Sequence, residues 1–95
     1  MANLTRTMRV LNHIKASVEL YYSRLIEVDN YKENKLYWSR VVLGSRRGKR
    51  YYLKYTFNSN EQRQEFLNEF NRLYPDVPIL EDELLTNKRK FTLLN

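Results

Sequence analysis

Between residues 35 and 57 apolar and polar positions alternate twice, through KLYWSRVVL and KRYYLKYTF, with GSRRG between them. Aromatic and β-branched runs at period two are strand signatures, and two of similar length around a glycine-containing loop predict a hairpin. A type I turn centred on Arg46 and Arg47 leaves Gly48 as the left-handed bulge residue of a three-residue loop. That register opposes Leu43 to Tyr51, Val41 to Leu53, Ser39 to Tyr55 and Tyr37 to Phe57, which form one largely apolar face. Leu36, Trp38, Arg40 and Val42 then share the other face with Tyr52, Lys54 and Thr56. A slip of one residue would regroup both sets.

Upstream, Val18, Leu20, Tyr22, Ile26 and Val28 alternate with Glu19, Tyr21, Ser23, Leu25 and Glu27, the pattern of a half-buried strand. DNYKEN, residues 29 to 34, reads as turn chemistry. Three strands of matching length make an antiparallel meander over 17–57. A helix from Leu4 through Val28 is the rival, because Leu11, Val18, Tyr22 and Leu25 also form a stripe. Before this, residues 1–16 read as a helix through Leu4, Met8, Leu11 and Ile14 or Lys15, with Asn3 as a possible N-cap, or as a strand through Met8, Val10 and Ile14.

Downstream, SNEQ at 59 to 62 reads as a capping box, with Asn58 and Glu61 as an equal alternative one residue earlier. Phe66, Leu67, Phe70, Leu73 and Tyr74 make a helical stripe over 59–74 that stops at Pro75 and is expected to cover the apolar face of the hairpin. Residues 75–95 are an acidic segment and tail, with ILEDELLT as a short helix and KRKFTLLN as a strand or frayed end. The expected fold is a single α+β domain: a three-stranded antiparallel meander packed against a C-terminal helix, with an N-terminal helix or additional strand.

Composition narrows the function. The chain has 95 residues, 42% of them hydrophobic, enough for one modest core. It has no cysteine, which removes disulfides and thiolate zinc sites. The opening residues hold no apolar run of signal-peptide length and no stretch reaches membrane-span length, so a soluble intracellular protein with no membrane association is expected.

The net charge is +6, and residues 29 to 58 carry eight Arg or Lys against two acids. Residues 1 to 28 are net +2 and residues 59 to 95 net −2, so the excess lies in the middle third. A basic patch of this kind suits nucleic acid, an anionic membrane surface or an acidic protein.

Catalytic chemistry is sparse. His13 is the single histidine, so no Ser-His-Asp, Cys-His or histidine-rich zinc arrangement is available. No phosphate-binding glycine motif occurs, and Gly44 and Gly48 are explained by the hairpin. Glu81, Asp82 and Glu83 are consecutive and therefore diverge, which suits a solvated face better than a metal site. No enzyme, metal or cofactor is expected.

The basic hairpin is the functional candidate. Arg46, Arg47, Lys49 and Arg50 cluster where long cations reach phosphates, and Arg40 and Lys54 extend the track along the strands. Trp38 and Tyr52 offer stacking surfaces for bases or a means of reading a groove. The expectation is a non-catalytic binder of DNA or RNA. The plainer reading makes the tip cations solubilising and Trp38, Val42 and Tyr52 a second buried face under the N-terminal segment. The competing function is a protein-protein interaction module, a small inhibitor or adaptor, since eight tyrosines suit a protein interface equally. A homodimer fits the same facts.

With a helical N-terminus the order α-β-β-β-α resembles that of double-stranded RNA-binding domains, although the last helix here opens NSNEQRQEF with one arginine where those domains carry lysines. A three-stranded sheet followed by a helix is also similar to plant and integrase arm-type DNA-binding domains. The likeness is one of layout over residues 18 to 74, without a shared motif, and assigns no family.

Overall fold

The computed structural model describes residues 2–81, with side chains from Thr5 onward. The elements are α1 (Ala2–Tyr21), β1 (Arg24–Glu33), β2 (Leu36–Gly44), β3 (Arg50–Phe57), α2 (Asn60–Leu73) and β4 (Ile79–Leu80). The α+β architecture with an antiparallel meander is as the sequence predicts, and the N-terminal element is a helix.

That helix runs further than the alternation suggests. Thr7, Val10, Leu11, Ile14 and Ser17 are its buried positions, and spacings of three and four place them on one stripe. Two of the five are small hydroxyl residues, so an apolar count overlooks the stripe, while Met8 is exposed. The strand expected from Ser17 therefore begins at Arg24. Tyr22 ends the helix in the left-handed conformation at φ 51°, and Ser23 N–H donates back to Val18 O at 3.1 Å, the Schellman closure.

The turn expected at residues 29 to 34 is also displaced. Asp29, Asn30 and Tyr31 are buried within β1, and the turn is at Asn34 and Lys35, with Asn34 at φ 59°. Polar residues are tolerated in the strand because they find partners. Asn30 Oδ1 accepts from Ser39 Oγ at 2.6 Å, Asn30 Nδ2 donates to Leu80 O at 2.9 Å, and Asp29 binds Arg40.

The β2–β3 register pairs Leu43 with Tyr51, Val41 with Leu53, Ser39 with Tyr55 and Tyr37 with Phe57, as the turn chemistry requires. β1 pairs antiparallel with β2, with an irregularity between Leu25 and Glu27. After α2 the chain returns to the far side of β1, where β4 pairs in parallel, Val28 with Ile79 and Asp29 with Leu80. The sheet order is β3-β2-β1-β4. Ile79 and Leu80 are thus a strand rather than the start of an acidic helix. The expectations for Asp82, Glu83 and the KRKFTLLN segment lie outside the described residues.

Both helices cover one face of the sheet. Val10, Leu11 and Ile14 of α1 and Phe66, Leu67 and Phe70 of α2 pack on Val28, Val41, Leu43, Tyr55 and Phe57. α2 starts at the N-cap Ser59, whose Oγ accepts from Gln62 N–H at 3.1 Å, while Gln62 Oε1 accepts from Asn58 N–H at 2.9 Å. Leu73, assigned to the apolar stripe from the sequence, is exposed. Arg63 is buried instead, donating from Nη1 to Tyr31 O at 2.8 Å and from Nη2 to Asn60 Oδ1 at 3.1 Å. No helix among the described residues is long and apolar enough to cross a membrane.

Candidate nucleic-acid interface

The β2–β3 turn is closed by Gly48 N–H donating to Ser45 O at 2.9 Å and Ser45 N–H donating to Lys49 O at 2.7 Å. Ser45 Oγ accepts from Lys49 N–H at 3.1 Å. Gly48 sits at φ 87°, a conformation that glycine adopts without strain. The turn projects Arg46, Arg47, Lys49 and Arg50, all exposed, and none forms an ion pair among the described residues. Four neighbouring cations repel one another, so a polyanion that bridges them relieves an existing cost.

Trp38, Arg40, Tyr52 and Lys54 lie together on the sheet face away from both helices, so α1 does not bury Trp38, Val42 and Tyr52 as the plainer reading expected. Tyr31 joins them from β1. Its ring stacks on Trp38 with centroids 3.9 Å apart and planes at 9°. Lys54 Nζ lies 4.4 Å from the Trp38 centroid, and the Arg40 guanidinium lies 5.4 Å from Tyr31 and 5.3 Å from Tyr52. Cations and rings thus interleave across three strands, each within the range at which a ring face attracts a cation.

Arg40 is the most constrained of them. Nη2 and Nε donate to Asp29 Oδ2 at 2.7 and 3.2 Å. Burial of the guanidinium opposes its charge, but the Asp29 hydrogen bond and attraction to Tyr31, Asp29 and Glu27 outweigh it and leave its pKa raised. Asp29 thereby compensates the Arg40 charge locally. Tyr52 remains 57% exposed, and a shallow pocket of about 230 Å³ opens beside it between Arg40 and Arg50, with Glu27 and Asp29 on its acidic side.

Elsewhere, His13 is exposed on α1, with Nδ1 hydrogen-bonded to the Tyr55 hydroxyl and its ring edge-to-face with Tyr55 at 5.8 Å. Burial pushes the Tyr55 phenol pKa up, against the opposing pull of Arg6. Among the described residues, no three His, Cys, Asp or Glu side chains converge as metal ligands.

One feature lies beyond the alternation pattern, which assigns Tyr21 and Tyr22 to a strand. At the end of α1 a cleft of about 370 Å³ opens between Tyr21 and the turn, lined by Ser45, Arg46, Arg47 and Tyr51. The Arg46 guanidinium lies 5.7 Å from the Tyr22 centroid. The helical stripe of Val18 and Tyr22 in the rival single-helix pattern was the available signal. No protein-family model, curated protein or solved structure matches the chain.

Proposed function

We propose that this chain is a non-catalytic nucleic-acid-binding protein that engages its ligand through the β2–β3 hairpin. The observation that carries the reading is the tip: Arg46, Arg47, Lys49 and Arg50 are exposed within five residues and have no acidic partner among the described residues. These four contact phosphates, and Lys54 extends the track. Tyr52 supplies the accessible ring face, while Trp38, stacked on Tyr31 and faced by Lys54, supports it from the neighbouring strand. Arg40, held by Asp29, positions Tyr31 and Tyr52 rather than serving as a free cation. Five phosphate contacts give a salt slope of about −4.5 on duplex DNA and about −3.5 on a single strand.

Fluorescence anisotropy with labelled single-stranded DNA, duplex DNA and duplex RNA at two salt concentrations tests this. The expected result is salt-sensitive binding that the Arg46→Ala/Arg47→Ala/Lys49→Ala/Arg50→Ala variant loses while remaining folded. Binding unchanged in that variant assigns the surface wrongly, and absence of binding at low salt removes the function.

A protein-docking role is favoured by a different observation: Leu20, Tyr21 and Tyr22 are consecutive large side chains left exposed at the end of α1. A partner held there survives the tip substitutions and is lost on changing these three residues.

A further inference from the structure

The cleft at the end of α1 combines features that phosphate contacts alone do not use. At about 370 Å³ it falls within the ~300–1,000 Å³ of small-ligand pockets, which pair mostly apolar walls with a few placed polar groups. Tyr21 and Tyr51 line it together with Ser45, Arg46 and Arg47, and the lining is mostly apolar.

Tyr22 supplies the second observation. It occupies the left-handed residue of a Schellman closure, a slot in which glycine is free of strain, and the residue is 73% exposed. Helix closure therefore gains nothing from this ring, and neither does the core. A strained residue with an exposed aromatic side chain beside a cleft points to a ligand.

Charge adds a third. The last turn of α1 carries no basic residue, and the cation nearest its closing residue is Arg46 of the neighbouring turn, 5.7 Å from the Tyr22 ring. That contact leaves Arg46 within reach of the cleft. It does not exhaust the side chain, because each guanidinium carries five N–H donors.

We infer that this cleft holds one unpaired nucleobase of a single-stranded nucleic acid, stacked against Tyr21 and Tyr51, with the adjoining phosphates on Arg46 and Arg47. The inference rests on the nucleic-acid reading and sharpens it. A nucleotide carries a flat ring and an anion a few bonds apart, which matches rings and guanidinium ions sharing one cleft. A duplex keeps its bases stacked inside and offers the tip only phosphates, so the cleft selects single strands.

The test is anisotropy of the full chain with three labelled oligonucleotides of equal length: a single strand, the same strand made abasic, and the duplex. The base-bearing single strand is expected to bind about tenfold more tightly than the abasic strand, the effect of one stacked base. Tyr21→Ala is expected to lose most of that preference, the remainder resting on Tyr52, and Tyr22→Gly to lose part of it through the Arg46 guanidinium that its ring faces. Tyr22→Gly relieves backbone strain, so affinity lost in it does not come from unfolding. Equal affinity for base-bearing and abasic strands, or no effect of either substitution, overturns the cleft and leaves phosphate binding standing. Failure of every strand to bind at low salt overturns both.

Discussion

Arg40 Nη2 lies 2.7 Å from Asp29 Oδ2, yet the two side chains differ in exposure, 33% for the arginine against 1% for the aspartate. Asp29 Oδ1 is buried without a hydrogen-bond partner among the described residues. Arg40→Ala strands a buried carboxylate, whereas Asp29→Asn leaves an arginine that water can reach. We expect Arg40→Ala to cost about 2–3 kcal/mol, below the ~3–5 of a fully buried pair, and Asp29→Asn about 1 kcal/mol. The double variant recovers part of the Arg40→Ala loss. Urea unfolding followed by Trp38 fluorescence measures all three, and equal costs for the two single changes would refute the asymmetry.

Alkaline pH should act through Tyr55. Its phenol ionises at a higher pH folded than the 10.0 of the unfolded chain, chiefly because it is buried. The associated stability is fully present below pH 10 and is lost as pH rises from there toward the folded value. In that window the unfolded chain binds fewer protons, and the single group lowers stability by up to ~1.4 kcal/mol per pH unit. Tyr55→Phe should therefore unfold with a shallower alkaline slope, at some cost in overall stability from the lost His13 bond. Parallel slopes for both proteins in urea titrations above pH 10 would show that Tyr55 is not responsible.

Backbone strain predicts a gain at one residue and a loss at another. Left-handed conformation costs a residue with a side chain ~1–2 kcal/mol, offset in Tyr22→Gly by the ~0.5–1 kcal/mol of extra chain entropy of glycine. Thermal unfolding of Tyr22→Gly should show a net stabilisation of about 0.5–1 kcal/mol. Gly48→Ala runs the other way by about 1 kcal/mol. Beyond its chain neighbours, no atom of the described residues lies within 4 Å of its new Cβ, so the cost is torsional and a larger side chain adds little. A Gly48→Ala protein as stable as the parent would exclude the strained turn.

The two ends of the α2 stripe should respond differently to truncation. Phe66 is fully buried between Tyr55, Phe57 and Phe70, so Phe66→Ala is expected to cost about 3–5 kcal/mol. Leu73, 47% exposed, should lose less than about 1 kcal/mol on the same change. Comparable losses at both positions in chemical denaturation would contradict the packing.

The hairpin was legible because its information is local. Gly48, the two arginines and the alternation around them determine turn and register together, and all four predicted pairs are present. The Ser59 cap and the Phe66, Leu67 and Phe70 stripe were legible for the same reason. Residues 17 to 34 were not, because distant contacts decide them. Thr7 and Ser17 belong to a buried stripe only once the sheet lies beneath α1. Asp29 and Asn30 look like turn residues until Arg40, Ser39 and Leu80 satisfy them. β4 escaped for a related reason, since two residues pairing with a strand fifty positions away leave no periodicity. In the candidate site, the tip cations were visible as a charge run. The engagement of Arg40 by Asp29 and the meeting of Tyr22 with Arg46 depend on tertiary placement.

Among the described strands β3 pairs with β2 alone, so its outer row of N–H and C=O groups is unpaired by any strand, with Arg6 Nη2 donating to Thr56 O at 2.9 Å near its end. Such a border is a template on which a second copy of the chain can assemble, and Arg50 and Lys54 are the charges that oppose it. Stripping them therefore has an effect unrelated to phosphates: neutralised variants should self-associate as well as lose binding. Reversing Arg46 and Arg47 to glutamate while keeping Arg50 and Lys54 preserves charge along that border, and sedimentation of both variant types separates a protein that no longer binds from one that binds to itself.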